Sequence, residues 1–403
     1  MAVGARPLSA GGGWAALAVT LAAQVMVAMA AMALPVAAPV IARSLGFALE
    51  ETGNFMAAMF GASMLATLGA GSLVMRHGAI RVSQVSLLLC AAGLALCATG
   101  SRAALAVGML LVGLGYGPIT PASSHLLAAT TPPARLSIVF SLKQTGVPIG
   151  GMLAGALVPP LLLARGWQAA LLALAAACVA CAAAASPLRP ALDADRNAEL
   201  PLRFATWVRP LKLVAGDRGL LRLALASLLF CSIQLSLTTY LVAYLNTRLG
   251  YGLVDAGLVL AVAQAGGAAG RVLWGHLADS WLQPQQVLAG LGGLIAAGCL
   301  ALAVLRPSAP LELVTLLLAL FGACAIGWNG VYLAEIARLA PAGAASAATA
   351  GALVFTYSGM VAGPALFALA LRMTQSYAPA FAALAVPALV SVALLVAVRR
   401  RGT

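Results

Sequence analysis

In the sequence GRVLWGHLAD, at residues 270–279, an apolar stretch that carries one arginine runs into a short polar turn. A weaker copy, GSLVMRHG, occupies residues 71–78. The two copies lie about half of the chain apart, and each ends a hydrophobic run. This spacing indicates a chain that is built from two related halves.

The composition predicts a membrane protein. Hydrophobic residues make up 63% of the 403-residue chain and charged residues 8%, whereas about a quarter of a soluble domain is charged. A transmembrane helix needs roughly 20 apolar residues, so there is room for about a dozen helices with short connections. The predicted spans are 14–42, 51–75, 82–100, 103–128, 136–164, 167–186, 219–246, 254–278, 285–305, 311–334, 344–372 and 377–398.

A charged, proline-containing stretch at 187–218 divides these spans into two sets of six. We therefore expect an N-terminal bundle over 1–186, a solvated cytoplasmic linker over 187–218 and a C-terminal bundle over 219–403. With both termini in the cytoplasm, most of the 23 arginine and lysine residues fall on the cytoplasmic side. The predicted location is the inner (plasma) membrane, with many passes.

The sequence does not contain the residue patterns that are typical of disulfide-rich proteins, metal sites, nucleic-acid-binding proteins or enzymes. The seven cysteines all lie in apolar runs, so neither a disulfide framework nor a metal site is predicted. The basic residues are scattered over loops, which argues against binding of nucleic acid. No glycine-rich phosphate loop and no catalytic constellation occurs, so we expect no enzyme and no cofactor.

The paired loops resemble the signature G-x-L-a-D-r-x-G-r of the major facilitator superfamily of secondary transporters. Asp279 fills the fifth position of the second copy, while Met75 replaces the acid in the first. The resemblance implies an all-α membrane protein with twelve transmembrane helices in two pseudo-symmetric six-helix bundles. It also implies a bracing role for Asp279 in the loop. The gating residues that it suggests are Gly71, Arg76, Gly78, Gly275 and Asp279.

Two cations are predicted to lie deeper than helix ends usually do. Lys143 comes eight residues after Arg135, and Arg271 comes eight residues before Asp279. A charge at the bilayer centre costs about 2.5–3.5 kcal/mol even on the lenient insertion scale, which suggests a function. The alternative is that each side chain snorkels to the interface or pairs with a loop carboxylate.

The superfamily resemblance places the fifth and eighth helices opposite each other, which would bring Lys143 and Arg271 together. It also makes Arg271 similar to the arginine of the eighth helix in monocarboxylate and oxalate transporters. We therefore expect the substrate to be a small organic anion, since arginine offers a carboxylate a planar fork and lysine a point charge. No aspartate or glutamate is predicted at mid-membrane.

Neutral polar side chains on the predicted helices could complete the binding site. An interhelical hydrogen bond is the alternative role for each of them. His125, near the end of the fourth span, could be linked to protons because histidine titrates near neutral pH. The candidates for substrate contact are Gln24, Gln144, Gln234, Gln264, Trp328, Asn329 and Tyr357.

The sequence thus predicts a secondary transporter that works by alternating access and moves a small carboxylate. The first alternative is a multidrug or metabolite exporter, and the second is a membrane receptor or scaffold that does not translocate. The expected partners are a small-molecule substrate and the lipid bilayer, with no nucleic acid. A monomer is expected, and a coupling proton or counter-anion stays open.

Overall fold

The computed structural model describes residues 10–132, 136–200, 208–307, 309–341 and 344–399. Within these ranges, 12 helical segments are long and apolar enough to cross a membrane, which confirms the predicted all-α fold. We number them α1 to α12 and call the parts of an interrupted helix a and b. The helices are α1 (Ala10–Leu45), α2 (Thr52–His77), α3 (Ala79–Cys97), α4 (Arg102–Thr130), α5a (Leu136–Gln144), α5b (Gly146–Arg165), α6 (Trp167–Ala184), α7 (Arg218–Thr247), α8 (Leu253–Ser280), α9 (Pro284–Val304), α10a (Leu311–Ala325), α10b (Asn329–Leu339), α11 (Ala345–Thr374), α12a (Tyr377–Ala383) and α12b (Ala385–Arg399).

Local signals in the sequence set several helix ends. The Ser101 side chain accepts a hydrogen bond from the Ala104 N–H at 3.1 Å and caps α4. The Asp217 side chain accepts one from the Leu220 N–H at 2.8 Å and caps α7. Both satisfy N–H groups that have no partner inside the helix. Gly78 and Gly166 have φ angles of 93° and 84°, a region that favours glycine, and they allow the short turns before α3 and α6.

The chain forms two compact units that do not follow the division at 187–218. One unit comprises the described residues of 1–33, 62–151 and 164–205, and the second comprises those of 34–61, 152–163 and 206–403. Segments of α1, α2 and α5b therefore belong with the C-terminal half. In the second unit, the backbones of α5b and α8 meet at Gly155 and Gly257, where a Cβ on either glycine would overlap the other's carbonyl oxygen.

In the first unit, α3 packs closely on α4. A Cβ on Gly93 would contact the carbonyl oxygen of Gly108 at 2.5 Å, so these helices touch through their backbones. Near the α2–α3 turn, Ile80 belongs to a buried cluster with Leu17, Leu126 and Leu192.

The predicted linker is partly structured. It contains the helices Arg189–Leu192 and Val208–Gly216. Leu192, Asp193 and Val214 are 6%, 3% and 0% exposed, so the solvated character predicted for 187–218 is wrong at these residues.

Candidate functional site

The fifth membrane span is interrupted where the sequence places its polar residues. α5a ends at Gln144 and α5b begins at Gly146, although the span was predicted as continuous over 136–164. Pro148 has no N–H to donate to the carbonyl of Gln144, which weakens the helix at this point. The Thr145 hydroxyl donates to the Leu142 carbonyl at 2.6 Å and closes the turn.

Lys143 lies at this interruption and is buried. Its side chain is 1% exposed, and Nζ donates to Oε1 of Gln144 at 3.5 Å, a long hydrogen bond. On the facing part of α1, Gln24 is also 1% exposed and accepts a hydrogen bond from the Thr120 hydroxyl at 3.3 Å. A Cβ on Gly146 would lie 3.0 Å from the Gln24 side chain. The first unit therefore brings polar groups of α1 and α4 to the interruption beside Lys143.

The tenth span is also interrupted, between Ala325 and Asn329. Two side chains of α8 bond to carbonyl groups of the last turn of α10a and of the interruption. The Trp274 indole donates to the Ala323 carbonyl at 2.7 Å, and Nε of Arg271 donates to the Ile326 carbonyl at 3.4 Å. The bond from Nε therefore holds the guanidinium of Arg271 against the interruption of α10. A guanidinium carries five N–H donors in all.

Gln234 of α7 bonds to the same region of α10. Its Oε1 accepts hydrogen bonds from the Trp328 indole at 3.0 Å and from the Asn329 amide at 3.4 Å. An indole N–H can only donate, so the oxygen of Gln234 faces Trp328 and the amide N–H groups face away. Trp328 is fully buried, and its ring packs against Phe230 with centroids 5.5 Å apart.

The remaining predicted residues are placed less tightly. Gln264 of α8 is buried, and within the described residues its side chain makes no hydrogen bond. Tyr357 of α11 is half-buried. Lys143 and Gln144 belong to the first unit, whereas Arg271, Gln234 and their partners belong to the second. The predicted approach of Lys143 and Arg271 stays a prediction.

The two loop motifs differ in their contacts. In the first, Nη1 of Arg76 donates to the Leu200 carbonyl at 3.3 Å, and Gly78 forms the turn into α3. In the second, Asp279 is exposed and makes no hydrogen bond in the described part of the chain, so its bracing role stays a prediction. It lines an open cleft of about 720 Å³ with Trp281 and Arg338. Arg338 forms an ion pair with Glu335, at 2.6 Å. Gly71 and Gly275 have open space where a side chain would be.

Three features of the structure were not predicted from the sequence. Thr120 is the partner of Gln24, and no pattern distinguishes it within its apolar helix. The Tyr240 hydroxyl donates to the carbonyls of Glu50 at 2.8 Å and Pro364 at 3.3 Å. A buried tyrosine hydroxyl usually has a hydrogen-bond partner, so the tyrosine in this apolar helix could have indicated such a contact. Asp193 bonds to the N-terminus of α3, and Asp195 lies 2.7 Å from His125.

A family comparison assigns these features to a known class of protein. The model of the Major Facilitator Superfamily matches residues 20–364. The chain belongs to the Major Facilitator Superfamily. This superfamily consists of membrane transporters, and the predicted superfamily is confirmed.

The chain is similar to other members of the superfamily. An uncharacterized MFS-type transporter of Mycobacterium tuberculosis is 27% identical over 256 residues. The match covers 62% of this chain and 56% of the relative, so the chain spans little more than half the length of that protein.

Solved transporters share the superfamily fold along nearly the whole chain. A peptide transporter POT matches with a TM-score of 0.77 at 18% identity. The match covers 98% of this chain and 97% of that one. The nucleoside transporter NupG has a TM-score of 0.76 at 13% identity, covering 96% of this chain and all of that one. At these identities the likeness shows the fold alone.

Proposed function

We propose that this transporter moves a small organic anion, of the carboxylate class, by alternating access. The observation that carries the proposal is the burial of Lys143, at 1% exposure, beside the interruption of the fifth helix. An ammonium that is held away from water attracts a carboxylate more strongly than an exposed one does, because the effective dielectric constant around it is lower.

The geometry of the second unit supports the same class of ligand. Gln234 presents amide N–H groups away from Trp328, and Arg271 is oriented by the carbonyl of Ile326. The amide of Gln234 and the guanidinium of Arg271 both carry N–H donors, and a carboxylate accepts hydrogen bonds from such groups. Interrupted helices commonly form substrate sites in secondary transporters, because their ends leave backbone groups for the ligand. We propose that Lys143, Gln144 and Gln24 of the first unit and Gln234, Arg271 and Asn329 of the second contact substrate.

Contacts within the second unit support alternating access. Residues 34–61 and 152–163 pack there against the C-terminal half, through Tyr240 and the carbonyl of Glu50 and through Gly155 and Gly257. In the proposed topology both termini lie in the cytoplasm, and these two contacts lie on the periplasmic side of the inner membrane. We propose that these contacts close the periplasmic side and break when the transporter opens outwards.

Ligand binding to the purified protein tests the proposed substrate class. Thermal shifts would be measured with mono- and dicarboxylates, neutral sugars and cationic dyes. We expect carboxylates to raise the melting temperature of the wild type and of Lys143→Arg, since binding to the folded state stabilises it. Lys143→Gln should lose at least tenfold in affinity, because a hydrogen bond to a charged group contributes about 1.5–3 kcal/mol.

An exposed arginine provides the control for charge. Arg248 lies in the loop after α7, and Arg248→Gln should keep the carboxylate shift. Shifts by dyes alone, unchanged in Lys143→Gln, would overturn the anion proposal and favour the exporter.

A further inference from the structure

The linker after α6 is attached to the first unit through a buried carboxylate. The side chain of Asp193 is 3% exposed, and its two oxygens accept hydrogen bonds from the backbone N–H groups of Ile80 at 2.8 Å and Arg81 at 3.0 Å. These N–H groups belong to the first turn of α3, where helical partners are missing. A carboxylate also interacts favourably with the positive end of the helix dipole.

Three further residues of the linker contact the same unit. The carboxylate of Asp195 lies 2.7 Å from Nε2 of His125 on α4. The Asn197 N–H donates to the carbonyl of Met75 on α2 at 2.9 Å. The carbonyl of Leu200 accepts from Arg76 at 3.3 Å. The segment 193–200 therefore contacts α2, α3 and α4 of one unit.

The turn between α2 and α3 has a shape that accommodates this carboxylate. Gly78 has φ of 93°, and a Cβ there would overlap the side chain of Asp193. The first loop motif also has Met75 where the second has Asp279. The acidic group at this turn comes from the linker instead.

We infer that Asp193 is a positioning residue for transport, which fixes the α2–α3 loop and makes residues 187–200 part of the N-terminal moving body. The seven residues 201–207 then remain between this attached segment and the helix Val208–Gly216, which packs on α11 through Pro210 and Gly351. The 32-residue stretch at 187–218 is accordingly not a free tether along its length.

A spin label on the linker tests the attachment without any substrate. Ala198 is exposed, so a nitroxide on Ala198→Cys in a cysteine-free background reports the motion of the segment. We expect a mainly immobilised spectrum for the parent protein and a mainly mobile one for Asp193→Ala. Glu199→Gln removes an exposed carboxylate of the same linker and should leave the spectrum unchanged. An immobilised spectrum in Asp193→Ala would overturn the inference.

Two further variants separate attachment from failure to fold. Asp193→Asn keeps one acceptor oxygen and should give an intermediate mobile fraction. Gly78→Ala should release the segment because the new methyl group occupies the place of the Asp193 side chain. Circular dichroism of each variant gives the helix content. Folded variants that all stay immobilised would contradict the role of Asp193.

The pH dependence adds a second readout. Burial raises the pKa of Asp193, although the two backbone N–H groups and Arg189 lower it and Asp195 raises it further. A carboxyl group whose pKa is higher in the attached state binds protons more readily in that state, so attachment is not weakened as the pH falls. The other facing groups are Arg81 on α3 and His125 on α4. We expect no mobile fraction to develop between pH 7.5 and 4.5, and release by acid would contradict the account.

Transport gives the functional readout. With the carboxylate that shows the fastest counterflow in the wild type, Asp193→Ala should lower the maximal rate several-fold and leave KM unchanged, because the proposed substrate contacts lie elsewhere. An unchanged maximal rate, or a change in KM alone, would overturn the positioning role. The spin-label experiment needs no substrate, so its failure is distinguishable from failure of the proposed anion transport.

Discussion

At the scale of single residues, the direction of one amide carries much of the proposed specificity. The oxygen of Gln234 is occupied by the Trp328 indole at 3.0 Å and by Asn329 at 3.4 Å. The amide nitrogen is therefore the group of Gln234 that can meet a ligand, and it can only donate. This residue would favour an anion or another acceptor and disfavour a cation.

Substitution of Gln234 tests this direction. Gln234→Glu retains an acceptor for Trp328 and Asn329 but presents an oxygen where the wild type presents N–H groups. We expect KM for a carboxylate to rise at least tenfold, since each lost donor to a charged group costs about 1.5–3 kcal/mol. Gln283→Glu provides a control on an exposed loop. Equal KM values for Gln234→Glu and the wild type would show that this amide does not contact the substrate.

Tyr240 is the second residue whose chemistry can be isolated. Its hydroxyl bonds to the carbonyls of Glu50 and Pro364, while its ring stacks on Phe367 with centroids 4.7 Å apart. Tyr240→Phe keeps the stacking and removes the hydrogen bonds. A hydrogen bond contributes a net stabilisation of about 1 kcal/mol, so we expect the equilibrium constant between the closed and open states to shift roughly fivefold towards the open state.

Alkylation measures that shift in population. Thr52 is 1% exposed beside this contact, and a cysteine placed there should react about fivefold faster with a thiol reagent in Tyr240→Phe. Tyr251→Phe is the matched control, because it removes a hydroxyl that bonds to the carbonyl of Ala309 at 2.8 Å in a different contact. An equal increase in both variants would exclude a specific role for Tyr240 in closure.

At the scale of helices, the sequence predicted the number, order and approximate ends of the spans but not their interruptions. The twelve apolar runs were sufficient to predict twelve helices, because within lipid the backbone N–H and C=O groups of each span must bond to each other. The interruption at Thr145 has a local cause in Pro148. The interruption at 326–328 depends on contacts that are distant in sequence, from Trp274 and Arg271. Periodicity within one span contains no information about such partners.

The same limit applies to the site. The sequence suggested Lys143, Arg271, Gln234 and Trp328 as candidates because polar groups are rare in these spans. It could not show that the indole of Trp328 donates to Gln234, since their contact joins residues far apart in the chain. It also predicted a solvated linker where Asp193 is buried, because charge in a stretch between helices ordinarily indicates exposure.

The contact of α5b with α8 is an element-scale prediction. A side chain on Gly257 would overlap the carbonyl of Gly155 and the ring of Pro159. Gly257→Val should therefore hinder the closed state, and overpacking of this kind costs about 1–3 kcal/mol. We expect exchange to fall at least fivefold and the Thr52→Cys reaction to accelerate.

Gly293 of α9 is a matched position, since nothing lies within 4 Å of a Cβ there. Gly293→Val should retain the exchange rate and the slow reaction. If Gly257→Val behaved like Gly293→Val, the α5b–α8 contact would have no part in closure.

At the scale of the whole molecule, composition predicted a membrane protein with about a dozen spans, and the resemblance of the paired loops suggested the superfamily. The family match over residues 20–364 confirms that superfamily. The compact units show what sequence division alone does not: segments 34–61 and 152–163 belong with the C-terminal half in this structure. The division at 187–218 remains our proposal for the moving bodies.

Counterflow in proteoliposomes tests whether the protein transports carboxylates and whether Lys143 is needed for it. Wild type, Lys143→Gln and the control Arg248→Gln would be compared with mono- and dicarboxylates, sugars and cationic dyes. The account predicts carboxylate exchange in the wild type and the control, and at least a tenfold loss in Lys143→Gln. Exchange of dyes or sugars that is unchanged in Lys143→Gln, with no carboxylate exchange in any variant, would contradict it.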